Sequence, residues 1–455
     1  MKNRIGPSRT FHITSLGCAK NLVDSEHIAG TLIQNGWTLE DDSNECDLLI
    51  VNTCAFIEDA QRESIEALQQ SVAVKGERSC VVVVAAGCLV QDAGRELRRA
   101  FPDIDLLIGT DEISNFLNHL NETVRCTNRY KLYRRRVSAG SIDDTHQREP
   151  LESRFTRYVK IADGCNTECA FCVIPRIRGP QKSLAYETVI RECERLIIQG
   201  ARELILVAQD TTAYGVERGE KNALATLLLL LSDRFASSGE IWIRLLYFNP
   251  YRISDRLLDA MAHPPILPYF DLAIQHVSPA VLRAMSRPIP EGGHERLIER
   301  IRDRIPQAVL RATVMIGHPG EDQHAFEKLL TFLEFARFNH VGIFTYSPQQ
   351  GTRSSDLIAP SKDIVEMRLV ELNSLVTEMA EERFARMKGN VIRFIWDDSL
   401  MSSHDTVLKA RSWMDAPDID RVYIPEHRKN TSSSPFFWGA ISGGDIMRPT
   451  IRFMQ

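Results

Sequence analysis

The chain has 455 residues, enough for about three domains at roughly 150 residues each. A formal net charge of -5, with 44% hydrophobic and 25% charged residues, excludes a disordered or collagen-like chain and argues against nucleic-acid binding through bulk charge. The most apolar runs, 223–231 and 81–86, fall far short of the roughly 20 residues of a membrane span, and the opening MKNRIGPSRTFHI has no apolar signal-peptide core, so a cytoplasmic enzyme without a membrane partner is expected.

In chain order, strands are predicted at 10–15, 47–52, 81–86 and 105–108, with helical spacing at 21–35 and 57–74 between them. That alternation predicts a parallel α/β sheet for an amino-terminal domain over 1–150. Residues 127–154, with RRR at 134–136 and Pro150, read as a linker. Strands are then predicted at 203–208, 241–248, 269–274, 310–316 and 341–346, after the one in RYVKIADGC. Helices are predicted at 184–198, 222–235, 255–262, 295–304, 324–337 and 362–387. Six βα units over 151–388 fit a partial TIM-like barrel with its site at the carboxyl ends of the strands. Short β segments such as 391–396 and 407–410 predict a small β-barrel over 389–455.

The ten cysteines carry most of the information, because clustered thiols in a reducing compartment mean metal or catalysis more often than disulfides. SLGC, VNTC and AAGC place Cys18, Cys54 and Cys88 directly after three predicted strands. In an open α/β sheet ligands bind beyond the strands' carboxyl ends, so three thiolates can converge on one edge. GCNTECAFC sets Cys165, Cys169 and Cys172 in a C-x3-C-x2-C loop after a strand. Three thiolates on one loop can hold three irons of a 4Fe-4S cube, leaving the fourth open to substrate. A structural zinc site would want a fourth ligand. Cys46, Cys80, Cys126 and Cys193 have no partner at ligand spacing and read as ordinary thiols.

The loop resembles the signature of the radical S-adenosylmethionine superfamily, and GCNTECAFCVIPRIRGP resembles its methylthiotransferase branch. SLGCAKNLVDSE, NTCAFIEDAQRES and VAQDTTAYG are similar to the RimO type, which modifies an aspartate of the twelfth small-subunit ribosomal protein. The resemblance runs on through DLAIQHVSPAVLRAMSR, TVMIGHPGE and YSPQQGTRS. It implies two 4Fe-4S clusters, held by Cys18, Cys54 and Cys88 and by Cys165, Cys169 and Cys172, the latter set being catalytic. It further implies S-adenosyl-L-methionine as cofactor, cleaved to a radical that takes hydrogen from the aspartate β-carbon. A one-electron donor such as flavodoxin or ferredoxin, a sulfur donor and the ribosomal protein itself are the implied partners. The MiaB type, which modifies a tRNA adenosine, is the alternative.

Further residues follow from position. Gln209 and Asp210 end a predicted barrel strand and are expected either to contact cofactor or substrate or to cap a turn. Gln275 and His276 are similarly placed. Gly317 and Gly320 are expected to let backbone approach the cofactor or to make a turn, and His318 stands where relatives carry an aromatic or apolar residue. Arg176 and Arg178 can pair with carboxylates or face solvent. ARSWMDAPDIDRVYIP (410–425) resembles a TRAM module, with Arg421 in place of the usual glycine. Its segment, 386–455, has 10 Lys+Arg against 8 Asp+Glu, a poor footprint for RNA that suits docking on a protein, or else a structural cap. No strong nucleic-acid binding is expected, and the module is expected to be separable from the radical chemistry.

Overall fold

The structure is a computed structural model; it describes residues 9–78, 81–125, 131–133, 148–238, 240–397, 409–426 and 434–454. It divides into two compact units. The first takes in residues 1–151, 162–168 and 172–184; the second takes in 152–161, 169–171 and 185–455.

In the first unit a six-stranded, wholly parallel sheet is built from β1 (Thr10–Ser15), β2 (Thr38–Leu39), β3 (Leu48–Thr53), β4 (Val82–Gly87), β5 (Leu106–Ile108) and β6 (Lys131–Tyr133). Its order is β2-β1-β3-β4-β5-β6. The strands are continuous apolar runs because both faces are covered. Leu49, Val51, Val83, Ala85 and Leu107 enter one core, and Leu48, Ile50, Val82, Val84 and Leu106 the other. Helices Ala19–Gln34, Glu58–Glu77 and Cys88–Ala100 make the crossovers. The order reverses between β1 and β3, the place where doubly wound sheets bind ligands. β6 falls inside the stretch read as a linker. So does Arg148, 2% exposed and paired with Glu26. The RRR stretch and most of that linker lie outside the described residues. A two-stranded ribbon of β8 (Ala162–Asp163) and β9 (Lys182–Ser183) and the helix Ile174–Arg178 also belong to this unit. Val173 and Ile177 are buried in the core formed by Leu49 and Val83, a burial worth roughly 1.5–3 kcal/mol per side chain.

In the second unit β7 (Thr156–Lys160), β10 (Glu203–Val207) and β11 (Trp242–Leu245) form one parallel sheet. β12 (Tyr269–Gln275), β13 (Val309–Ile316) and β14 (His340–Thr345) form another. Parallel bridges Ile243↔Ile266 and Phe248↔Leu272 join them. The result is the expected six-stranded partial barrel, with β7 and β14 as its edges. Helices separate successive strands, and Lys362–Met387 follows the last.

Five strands complete this unit: β15 (Val391–Asp397), β16 (Lys409–Ser412), β17 (Ile424–Pro425), β18 (Phe436–Gly444) and β19 (Pro449–Phe453), in the order β16-β15-β18-β19-β17. Ala410 and Tyr423 exchange both backbone hydrogen bonds, at 2.9 and 2.8 Å, so the sheet curls until its ends meet. Phe394, Trp396, Tyr423, Ile441 and Ile451 fill it. Residues 407–408 and 430–433 of the predicted strand and polar insert lie outside the described residues. Among the described residues no helix is long and apolar enough to cross a membrane.

The module's 410–425 stretch reaches the amino-terminal ends of the barrel strands. Arg411 bonds Glu203 and Thr156, Asp420 bonds Arg311 at 3.3 Å, and Tyr158 donates to Asp418 at 3.0 Å. The residues that resemble a TRAM module are therefore largely internal: Arg411, Asp415 and Asp420 have side chains no more than 2% exposed. Asp397 on β15 is buried as well, against Arg411. A charge sum over the sequence of this segment is thus not a sum over its surface. Three of its eight acids are spent inside the protein, which leaves the remainder more basic than the sequence balance suggests.

Candidate functional site

Cys18 follows β1, Cys54 follows β3 and Cys88 follows β4, all at the carboxyl edge and astride the switch point. The backbone there admits little variation. Gly17 and Gly87 hold φ of +91° and +95°, open to glycine and costly for other residues. A Cβ on Gly17 would stand 2.8 Å from Cys54 Sγ, and one on Gly87 2.2 Å from Asn52 Oδ1. Asn21 donates to Leu16 O and Thr53 O, at 2.9 and 3.1 Å. Asn52 donates to Asn21 O and Ser25 Oγ, at 2.8 and 2.9 Å. Thr53 Oγ1 donates to Ala86 O, and Ser64 Oγ receives the Cys54 N–H at 2.9 Å. These short polar side chains tie the three strand ends together.

Into this edge comes Arg178. Its guanidinium donates to Asp24 Oδ2 at 2.9 Å, Asp163 Oδ2 at 3.1 Å, Asn21 Oδ1 at 2.5 Å and Cys88 Sγ at 3.4 Å. Burial alone would push the Cys18 thiol up, but the Lys20 and Arg178 charges and the N–H groups of Asn21 and Lys20 outweigh it and hold Cys18 below the ordinary thiol range. Burial dominates at the others. Cys54 is raised despite the Phe56 and Ala55 amides, and Cys88 is pushed up to about 11 despite Arg178.

On the loop after β8, Cys165 Sγ accepts the Thr167 N–H at 3.3 Å and Cys172 Sγ accepts the Ile174 N–H at 3.5 Å. Such bonds favour the thiolate. The Cys165 N–H is held by Gly179 O at 3.0 Å. In the second unit, Arg287 Nη1 reaches Cys169 Sγ at 3.7 Å while its Nη2 donates to Ala273 O at 2.7 Å. Ala170 bonds Met285 O and Ser354 N, both at 2.9 Å. Phe171 meets the edge of the His318 ring at a centroid distance of 6.1 Å. His318 in turn contacts Pro319 O and Ser354 Oγ, at 2.8 and 2.9 Å. His318 is therefore a brace behind the loop.

The other predicted residues are placed as follows. Gln209 and Asp210 follow β10. Asp210, 4% exposed, accepts from Thr212 Oγ1 and from Asn249 Nδ2 at 3.1 Å, with Arg252 Nε at 3.5 Å. That carboxylate ties two strand-end loops together. His276 Nδ1 accepts the Val277 and Ser278 N–H groups, both at 3.0 Å, and burial lowers its pKa to about 4, so the ring is neutral. Gly317 and Gly320 both have positive φ, and the Gly317 N–H donates to Glu321 Oε2 at 3.0 Å. Glu321 also receives Arg368 Nη1 at 2.6 Å. Arg176 pairs with Asp92 at 2.9 Å, so both loop arginines found carboxylates. Cys46 and Cys193 are buried; Cys80 and Cys126 lie outside the described residues.

Among the described residues no three His, Cys, Asp or Glu side chains surround a single metal ion. A 4Fe-4S cube asks for something else, one thiolate on each of three separate irons. The donor sets fit that demand: all-sulfur, at strand ends or on a tight loop, with N–H groups or an arginine directed at the sulfurs. Sequence reasoning missed Arg287 and left the role of Arg178 open. The only signal for Arg178 was its place in RIRGP, because its partners Asn21 and Asp24 lie over 150 residues away in sequence.

Two family models match the chain: uncharacterized protein family UPF0004 over residues 10–109 and the radical SAM superfamily over 159–333. Ribosomal protein uS12 methylthiotransferase RimO of Syntrophobacter fumaroxidans is 37% identical, covering 92% of each chain. The enzyme of the same name from Synechococcus sp. RCC307 is 36% identical over 96% of this chain and 88% of its own. That from Symbiobacterium thermophilum is 38% identical over 90% and 83%. Among solved structures, the radical S-adenosylmethionine methyltransferase TsrM from Kitasatospora setae matches with a TM-score of 0.56 at 16% identity, over 74% of this chain and 73% of that one. At that identity the likeness concerns the fold.

Proposed function

The chain belongs to the RimO family of radical S-adenosylmethionine methylthiotransferases, and we propose that it places a methylthio group on the β-carbon of an aspartate in ribosomal protein uS12. The observation that carries this reading is the pairing of two three-cysteine sets: Cys18, Cys54 and Cys88 gathered at the switch point, and Cys165, Cys169 and Cys172 on one loop. In this reading the chain is organised as 1–150, 151–388 and 389–455.

When bound, two 4Fe-4S clusters and S-adenosyl-L-methionine supply the hydrogen-abstracting radical and the methylthio group. A β-carbon C–H bond is too weakly acidic for a side-chain base, which is why the reaction calls on radical chemistry. The chain's own work is positional. Cys165, Cys169 and Cys172 would hold the catalytic cluster, and the His318 brace and the Ala170 hydrogen bonds fix the Cys169–Phe171 part of their loop. Gln209, Asp210, Gly317 and Gly320 line the cofactor side at the strand ends. Cys18, Cys54 and Cys88 hold the second cluster. The eight free cysteines among the described residues suit a reducing, cytoplasmic setting, where a flavodoxin- or ferredoxin-class donor and a sulfur donor serve the reaction.

The test is mass spectrometry of a uS12 loop peptide and of bulk tRNA after anaerobic turnover. A methylthio mass on the peptide is expected. The same mass on a tRNA adenosine, with the peptide unmodified, would transfer the chain to the MiaB-type reaction.

A further inference from the structure

Arg178 is 6% exposed and lies six residues beyond Cys172, the last cysteine of the C-x3-C-x2-C loop. A buried guanidinium persists only when anions and acceptors meet its fork of donors. Here the partners are Asp24 at 2.9 Å, Asp163 at 3.1 Å, Asn21 at 2.5 Å and, through Nη2, Cys88 Sγ at 3.4 Å. Three of the four serve to hold the arginine. The fourth is one of the three thiols at the sheet edge. The helix Ile174–Arg178 that carries it donates its first N–H to Cys172 Sγ, so one short helix touches a thiol of each set.

We propose that Arg178 is a positioning residue of the amino-terminal cluster: a fixed cation whose N–H···S bond to Cys88 sets how readily that cluster accepts an electron. The proposal rests on the reading that Cys18, Cys54 and Cys88 hold a cluster. Reduction adds one negative charge to a buried group. A fixed positive charge on a ligand sulfur favours the reduced form, and hydrogen bonds to cluster sulfurs are a recognised control of potential. Asp24 is 5% and Asp163 19% exposed, so the two carboxylates orient the fork and offset part of its charge, and what reaches Cys88 directly is the buried N–H···S contact. Lysine carries the charge but not the planar fork, so the two contributions can be separated.

The experiment uses the full chain with Cys165, Cys169 and Cys172 replaced by Ala, leaving only the amino-terminal set. Iron and acid-labile sulfide are counted after anaerobic reconstitution, and the potential is read by EPR-monitored titration. With Arg178 intact this protein should hold one cluster; if it holds none, the cluster reading itself fails, whatever Arg178 does. Arg178→Gln should make the cluster about tenfold harder to reduce, ~59 mV more negative for one electron, with an altered EPR line shape. Arg178→Lys should fall between the two. A cluster in Arg178→Gln with the parent's potential and spectrum overturns the proposal. If Arg178→Gln takes up no iron, Arg178→Lys decides. Loading at a potential between the parent's and a more negative limit supports the proposal, and a folded Arg178→Lys protein without iron overturns it in favour of a purely structural role.

Discussion

Arg411 Nη2 lies 2.6 Å from Glu203 Oε2, and neither side chain is exposed at all. Glu203 opens β10 of the barrel, and Arg411 sits in the carboxyl-terminal module. Arg411 also meets Asp397 at 2.7 Å, and Glu203 meets Arg244 at 2.8 Å. The group is a buried ionic cluster in which each charge is answered. Removing one partner strands the others, which typically costs about 3–5 kcal/mol. Arg411→Ala should lower the free energy of unfolding, read from urea titration, by that order. Asp418→Asn, at an exposed position, should change it by about 1 kcal/mol or less.

The same packing bears on the expectation that the module can be detached. Deleting 389–455 removes Arg411 from Glu203 and Asp420 from Arg311, Tyr269 and His340. The shortened chain should be aggregation-prone and lose iron binding, measured by solubility and iron content. A soluble truncation that still loads both clusters would show that the barrel tolerates those unpaired charges.

The two cysteine sets should separate by readout. Ala at Cys165, Cys169 or Cys172 should abolish 5′-deoxyadenosine formation. Ala at Cys18, Cys54 or Cys88 should leave it largely intact and stop methylthio transfer. Chromatographic assay of 5′-deoxyadenosine beside peptide mass spectrometry checks both.

Gly87→Ala would bring a Cβ to 2.2 Å from Asn52 Oδ1 at a φ of +95°. The strand end must shift, and Cys88 with it. Iron should fall from about eight to about four per chain while 5′-deoxyadenosine formation survives. An unchanged iron content would mean that the edge adapts to the methyl group.

Burial lowers both His276 and His294 to about 4, His276 also feeling the His318 and Arg368 charges and His294 that of Arg287. Between about pH 6.5 and 4 the unfolded chain therefore binds more protons than the folded one, so stability falls as pH falls. The slope approaches ~1.4 kcal/mol per pH unit for each histidine. Glu203 adds a loss at still lower pH. Burial opposes its ionisation, but Arg411 and Arg244 hold its pKa below the usual range, so that contribution is lost as the carboxylate protonates. Urea titrations at several pH values should show the decline, and His294→Leu should flatten it between pH 6.5 and 4.

The sequence alone determined most of what is local or periodic. Strands with both faces buried appear as apolar runs, crossover helices as 3.6-residue spacing, and ligand-bearing loops as cysteines directly after strands. The helices Cys88–Ala100 and Phe116–Arg125 and the strands β18 and β19 were not predicted; the helix Lys362–Met387 was legible to the residue, and the other predicted elements to within a few residues. β6 was not, because three residues at a sheet edge, among polar neighbours, leave no period to read. Tertiary structure alone decided which groups meet. Asn21, Asp24, Cys88 and Arg178 come together from positions far apart, and no spacing rule encodes a hydrogen bond across 157 residues. It also decided that Asp397, Asp415 and Asp420 are internal, which a charge count cannot see. Burial, not composition, sets whether a carboxylate acts as surface charge or as half of an ion pair.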